Sequence, residues 1–488
     1  MNARRRSLLR LLAVLLSFVL IAAACGDDSD SDDTGADDTS TDDTGSDDTG
    51  SDDTGSDDTG SDDTGSDDTG SDDTGSDDTG SDEPELTDSF TGVTAETITL
   101  GIAMLDFAEL VNIGASSEGW GDQQGVWQVL IDDVNANGGI LGRQIVPVYE
   151  FYSPISPDDA TRACTVMTED NEVFAVLGGF VGPVVATNTC VTQLNSTIMV
   201  GGNQSPDALA ASTAPYYQPG SPDFALSTIL LNLLDETGRL DGAKVFVMGG
   251  NADAANHDPV IELLNDRGVE VVGDNLYLAT DIEDTAAQDT ELGIITEQIK
   301  ESGATAVFIH GTPSASIRGL AAAGLNETLD IWTNNPGGLN NLGETITDKS
   351  IANGVLTSGG ADDTSIFEDP LYQSQCNDIV AASDVGADLR TPLEYEKGEE
   401  NWFNSVRRYC QHLDLFVQIA RNAGADLTQV SFQGAAEAMS DFVLPGMPAA
   451  SLSADKPYAN DLYALLEYDS TAGDGVAVPL GDFIDAFT

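Results

Sequence analysis

The sequence predicts an α/β fold: two doubly wound parallel-sheet lobes joined by a multi-crossing hinge, with a disordered acidic tether in front. Three observations predict it. From Thr97 onward, short apolar runs alternate with amphipathic stretches; the same rhythm restarts at Val245; and residues 31–80 form ten consecutive pentads in which Ala36 is the one apolar residue. The chain has 488 residues with 84 Asp plus Glu against 18 Lys plus Arg. The acid is uneven. Residues 26–85 hold 26 carboxylates and no Lys or Arg, and residues 86–488 hold 58 acids against 14 bases, a net of −44. Such a surface excludes a basic nucleic-acid binder and repels phosphate or anionic-membrane partners. It also predicts a fold that gains stability as salt screens its self-repulsion. About 400 residues suffice for two cores of ordinary size.

Residues 1–24 read as an export signal. Arg4, Arg5 and Arg6 form a basic head, and the apolar run Leu8 to Ala24, broken once by Arg10, is too short and too oddly flanked for a stable spanning helix. Ala22-Ala23-Ala24-Cys25 resembles the lipobox of bacterial lipoproteins, which implies acylation at Cys25 and an extracytoplasmic protein held to the cell membrane by lipid. Arg5-Arg6-Ser7-Leu8-Leu9-Arg10 also resembles a twin-arginine signal. The plain alternative is a cleaved signal with a chance cysteine.

Residues 25–85 are the tether. Eight copies of Ser-Asp-Asp-Thr-Gly and two variants carry two like charges every five residues, so the segment cannot offset its ordering entropy and should be an extended coil. Flexible-chain scaling gives roughly 45 Å end to end. A calcium-binding repeat is the sharper alternative, but the pentad lacks the bidentate Glu and folded loop of tight sites.

Residues 86–488 hold the two lobes. Ile98 to Met104, Ile145 to Phe151, Val173 to Leu177 and Ile198 to Val200 are strand-sized apolar runs of the kind buried in parallel sheets. Helical stretches at Gly125 to Asn135, Pro157 to Glu169, Val184 to Leu194 and Phe224 to Leu234 separate them. The second set runs Val245 to Met248, Val269 to Leu278, Ala306 to His310, Ile331 to Thr333 and Gly354 to Thr357. Helices are predicted near Asp258 to Asp266, Leu292 to Ser302 and Ser314 to Ala323. A long helix over Glu394 to Ala423 and a terminal strand near Leu462 to Tyr468 follow. Alternation of this kind means right-handed βαβ units. The first lobe is placed at about 96–240 plus part of 380–440, and the second at about 241–375 plus the C-terminal segment.

Ile131-Asp132-Asp133-Val134-Asn135-Ala136-Asn137-Gly138-Gly139-Ile140-Leu141-Gly142-Arg143 resembles a signature of type I periplasmic binding proteins of the leucine/isoleucine/valine-binding kind. The agreement continues through Glu150, Pro157-Asp158-Asp159-Ala160 and Glu172 to Gly179, and the resemblance spans residues 96–470. Physically, Asn137-Gly138-Gly139 ends a helix by a left-handed cap and Gly142 allows the turn into the next strand. The resemblance implies a receptor that closes on a small polar solute, such as an amino acid, an amide or a related compound, and presents it to the membrane subunits of an ABC permease. The alternative is a ligand-sensing lipoprotein coupled to a membrane signalling protein.

In doubly wound sheets, ligands sit beyond the carboxyl ends of the strands. Candidate ligand-binding residues are therefore Asp106, Phe107, Gly182, Pro183, Asn203 and Gln204 in the first lobe, and Asn251, Asp253 and Thr312 in the second. Asp106 and Asp253 suit an ammonium or amide handle, with a helix N-cap or turn acid as the plain reading of each. Asn203 and Gln204 both donate and accept. Phe107, Phe180, Trp120, Tyr216 and Tyr217 are candidate walls. Relatives that bind amino acids place hydroxyls after the third strand, where this chain has Val181-Gly182-Pro183-Val184, which weighs against an α-amino acid.

Cys164, Cys190, Cys376 and Cys410 make an even set in an exported domain, so disulfides are expected. Three pairings are possible, and proximity in sequence favours Cys164 with Cys190 and Cys376 with Cys410. No metal site and no cofactor are predicted. An enzyme is the rival class, but His257, His310 and His412 stand singly and no catalytic or phosphate-binding motif is present. A monomer is expected, with no nucleic acid among its partners.

Overall fold

The computed structural model describes residues 86–488 apart from 114, 115, 117, 279–284, 343–345, 397, 474 and 488. The signal, Cys25 and the pentad tether lie outside the described residues. The first sheet comprises β1 (Thr97–Leu105), β2 (Gln144–Tyr152), β3 (Ala175–Gly178), β4 (Ile198–Gly201) and β5 (Tyr216–Tyr217), in the order β2-β1-β3-β4-β5. Every pairing in it is parallel.

The sheet is covered on both faces because its strands are apolar at successive positions. Leu100, Ile102 and Met104 enter one core with Leu177 and Val200, while Ala103, Val176 and Met199 enter another on the opposite side. This period-two division is what makes continuous apolar runs read as buried parallel strands.

The second sheet contains β6 (Lys244–Gly250), β7 (Glu270–Tyr277), β8 (Ala306–His310), β9 (Asp330–Thr333) and β10 (Leu356–Gly359), all joined in parallel. Val245, Val247 and Phe308 face one core and Phe246, Met248, Val307 and Ile309 the other. Its far edge is antiparallel. β13 (Leu462–Asp469) returns against β10, and β14 (Val476–Pro479) and β15 (Ile484–Asp485) pair with β13. The strand expected to be the chain's last is thus followed by two more, and it lies inside a mixed sheet. β11 (Phe442–Leu444) and β12 (Met447–Ala450) form a separate hairpin.

The long helix expected from Glu394 begins at Trp402 and ends at Ala423. Gly398 lies at φ 96°, where helix cannot continue, and the Asn401 side chain caps the start by accepting from Asn404 N at 3.3 Å. This helix buries Phe403, Val406, Leu413 and Phe416 in the first core, and Phe416 meets Phe174 just before β3. The helix Leu226–Glu236, placed before the lobe boundary at 240, has its buried residues in the second lobe's core. Both favoured disulfides are present: Cys164–Cys190 and Cys376–Cys410, each with its sulfurs among first-lobe elements.

The chain passes between the lobes after β5, after β10 and before β13. The first and last passages run side by side, with Gln218 N donating to Pro457 O (3.1 Å), Ala459 N to Gln218 O (2.9 Å) and Asn460 N to Pro219 O (2.9 Å).

The signature corner explains its own residues. Asn135 grips the start of β2, with its Oδ1 accepting from Ile145 N (2.7 Å) and its Nδ2 donating to Ile145 O (3.0 Å). Gly139 has φ 62°, and a Cβ there would stand 2.0 Å from Arg143 O. Arg143 is fully buried and donates to Thr94 O (2.7 Å), Thr87 O (3.0 Å) and Ala425 O (2.8 Å). Three carbonyls replace the water this cation has lost and tie the chain's entry and the end of the long helix to one corner.

Candidate functional site

The loops after β1, β3 and β4 gather at one edge of the first sheet, and those after β6 and β8 at the corresponding edge of the second. After β1, Asp106 Oδ1 accepts from Ala108 N at 2.9 Å, the capping arrangement that starts the helix Phe107–Ile113. Phe107 packs on Trp120 with ring centroids 4.8 Å apart. Asp106, Phe107, Val111, Trp120, Gln123 and Glu400 line a cavity of about 440 Å³. Gln123 Nε2 donates to Leu105 O at 2.8 Å and Tyr409 OH bonds Gln123, so the cavity floor is fastened to the long helix. Glu400 Oε2 accepts from Gly121 N at 2.7 Å.

The loop after β3 is built from inside. Asn188 Oδ1 accepts from Phe180 N (2.8 Å), Asn188 Nδ2 donates to Phe180 O (2.9 Å), and Tyr152 OH takes Val181 N (3.2 Å) while donating to Gly179 O (3.0 Å). Burial raises the Tyr152 hydroxyl well above its ordinary pKa, so it stays a donor. Gly182, at φ 67° and exposed, and Pro183 open the 3₁₀ turn that follows. Two of this loop's backbone donors are thus committed, and Pro183 has none to offer.

After β4, Asn203 is exposed. Gln204 is 3% exposed and acts as a tie: its N donates to Gln218 Oε1 (3.0 Å) and its Nε2 to Tyr216 O (2.8 Å) and Pro457 O (3.1 Å). Its amide therefore fastens β5 to the passage between lobes. Tyr216 and Tyr217 form β5 itself and line a separate recess of about 330 Å³ with Phe224 and Pro457.

In the second lobe, the structure brings Asp253 and Thr312 together: Asp253 Oδ2 accepts from Thr312 N at 3.3 Å. Burial raises the Asp253 pKa, and this hydrogen bond works against the rise. Gly311, at φ 71°, lies against the same carboxylate, where a Cβ would come within 2.1 Å. Asn251 and Thr312 are exposed beside it. Behind them His257 Nδ1 and His310 Nε2 are 2.9 Å apart, and His257 Nε2 is 3.2 Å from Asp274 Oδ1. With Asp274 accepting from His257, His257 Nδ1 accepts from His310, and His310 Nδ1 is left buried without a partner. Burial and the neighbouring His257 lower His310 to about 4.

Sequence reasoning missed the contribution of the long helix. His412 crosses the ends of β3 and β4, since a Cβ at Gly201 would stand 2.8 Å from its Nε2. Burial lowers the His412 pKa to about 4, with Arg408 pushing the same way. One turn earlier, the Arg408 guanidinium lies over the Trp120 ring, 5.1 Å from its centroid. No motif marks either residue; the signal the sequence carries is their i, i+4 spacing on the predicted long helix.

The sequence profile of the family described as "Periplasmic binding protein" matches residues 119–361. Among solved structures, an ABC transporter substrate-binding protein from Desulfitobacterium hafniense is similar at 14% identity, covering 79% of this chain and 100% of its own, with a TM-score of 0.52. The leucine-, isoleucine-, valine-, threonine- and alanine-binding protein from Brucella ovis, in a closed conformation, matches at 14% identity over 80% of this chain and 96% of its own, TM-score 0.52. A putative branched-chain amino acid ABC transporter from Rhodospirillum rubrum matches at 15% identity over 79% and 99%, TM-score 0.51. At these identities the likeness concerns the fold. No curated protein matches the sequence.

Proposed function

The chain belongs to the periplasmic binding protein family, and on that premise we propose that it is the extracytoplasmic substrate-binding lipoprotein of an ABC importer, taking a small solute between its lobes. The observation that carries this reading is the pair of sheets, each with a run of parallel strands whose carboxyl-end loops hold the candidate residues, connected by hydrogen-bonded passages between the lobes. Asp106, Phe107, Gly182, Pro183 and Asn203 contribute from the first lobe, and Asn251, Asp253 and Thr312 from the second. Gln204 acts by holding the passage rather than by touching solute. Cys25 carries the lipid, the ABC permease is the partner, and the protein works as a monomer without cofactor or catalysis.

The first test is a thermal-shift screen of the full chain, solubilised in mild detergent, against amino acids, amides, urea, polyamines, aromatic acids and sugars. A solute at 100 times its dissociation constant adds roughly 2.7 kcal/mol. One selective hit is the expected result, and silence across the panel counts against import. Radioactive palmitate should label the wild-type protein and not Cys25→Ala; equal labelling of both removes the lipid anchor from the proposal.

A further inference from the structure

The two second-lobe loops that carry candidate residues are joined at their roots by a buried pair of histidines. The loop with Asn251 and Asp253, a 3₁₀ turn over Asn251–Asn256, ends at His257, which begins the helix His257–Asp266. The loop with Thr312 starts directly after His310, the last residue of β8. His257 Nδ1 and His310 Nε2 lie 2.9 Å apart, with the two rings edge to face at 67°. The same loops touch a second time, where Asp253 Oδ2 accepts from Thr312 N. Root and tip contacts together hold one loop against the other.

The sequence makes room for this pair. Both rings are buried, and the His310 ring lies over the end of β6, where Gly249 admits it: a Cβ at Gly249 would stand 2.3 Å from His310 Cε1. Beyond His257 the hydrogen bonds end on Asp274 at 3.2 Å, a carboxylate more than half exposed, so protons have a route from solvent to the pair. The titratable and charged groups on the elements packed at this end are Asp274 and Tyr277 on β7, Asp253 on the 3₁₀ turn, Asp258 in the first turn of the helix that His257 begins, and Arg318 on the helix Ser314–Ala322. Arg318 is engaged by Asp289 at 3.0 Å, and burial keeps the Tyr277 hydroxyl protonated.

Resting on the receptor reading above, we infer that the His257–His310 bond is a proton-operated catch: it positions the two wall loops for the solute, and acid opens it. Counting donors explains why. With both rings neutral, Asp274 accepts from His257 and His257 accepts from His310. One added proton still leaves a donor facing an acceptor between the rings, so the bond survives. Two added protons make both facing nitrogens donors, and repulsion replaces the bond. Burial and the neighbouring His257 hold His310 near 4, while a histidine released to solvent titrates near 6.5, so opening takes up a proton between those values. Each pH unit of acidification in that window favours the open loops by up to about tenfold.

The test is hydrogen exchange of the full chain in mild detergent from pH 6.5 to 4.5, corrected for intrinsic rates and read on peptides covering 250–257 and 310–314. In the wild type, protection of both loops should fall together, by up to about tenfold per pH unit, while β6 keeps its own. His310→Gln places an amide that does not titrate where Nε2 stood, and should keep both loops protected through the acid range. His310→Ala should loosen both already at pH 6.5. If His310→Ala fails to fold, the wild type and His310→Gln decide. Wild-type loops with protection level across the range overturn the catch and leave the receptor standing. So does an acid loss that persists undiminished in His310→Gln, which would belong to the Asp253 carboxylate. Loops that open in acid in the wild type alone, while the solute screen stays silent, uphold the catch and count against the receptor.

Discussion

The first lobe carries both disulfides, Cys164–Cys190 and Cys376–Cys410, and packs its all-parallel sheet under a 22-residue helix. The second lobe has a wider, mixed sheet with no disulfide among its described residues, and it encloses the His257–His310 pair instead. A covalent link restrains the unfolded chain at every pH, whereas a neutral buried histidine stabilises the fold only while protons are scarce. The same fold type is thus secured by redox chemistry on one side only, while each side holds a buried histidine of lowered pKa, His412 in the first lobe and His310 in the second.

Reduction gives the largest expected effect. The disulfides close loops of 26 and 34 residues, worth roughly 3 to 4 kcal/mol each on chain-entropy grounds. Dithiothreitol, or Cys376→Ala with Cys410→Ala, should raise hydrogen exchange in peptides of the first lobe before those of the second. Equal loss of protection in both lobes would break the comparison.

Acid gives the next. His310 titrates near 4 when folded and near 6.5 when free, so as pH falls through that window the unfolded chain takes up a proton that the folded one refuses. Stability is therefore full above 6.5 and declines toward 4, by up to about 3 kcal/mol. His412 has the same direction in the first lobe, while Asp414, raised to about 6 by burial, has the opposite one. The readout is accordingly the difference between wild type and His310→Gln: the variant's melting temperature should fall less steeply from pH 6.5 to 4.5. Identical slopes would remove His310 from the account.

The smallest of the three sharpens the comparison within the first lobe. Gly139→Ala places a Cβ against Arg143 O and keeps a positive φ, a strain of about 1–3 kcal/mol. Its melting temperature should drop under reducing and oxidising conditions alike, which separates the signature corner from the disulfides.

How much of this was legible depended on whether local chemistry dictates the outcome. The apolar runs at Ile98 and Val245 had to be buried on both faces, so the parallel sheets were readable, and Asn135 to Arg143 carried a corner in which Asn135, Gly139 and Arg143 each have a backbone task. The two-residue β5 and the antiparallel β14 and β15 were not readable, because their strand character comes from the neighbours they join. The helix start at 402 rather than 394 turned on one glycine and one cap. Among the candidate site residues, position beyond a strand end was legible and orientation was not: Asn203 faces solvent and Gln204, its neighbour, is buried among Tyr216, Gln218 and Pro457.

The chain enters the first lobe at its amino-terminal edge, with Thr87 O held by Arg143, Ser89 Oγ donating to Leu427 O at 2.8 Å, and Phe90 edge-on to Phe174. That is the pole opposite the loops of the candidate site. A surface that grasps the folded part at residues 86–90 therefore meets the pole away from the mouth, and a handle placed there leaves the loops of the candidate site open to solutes.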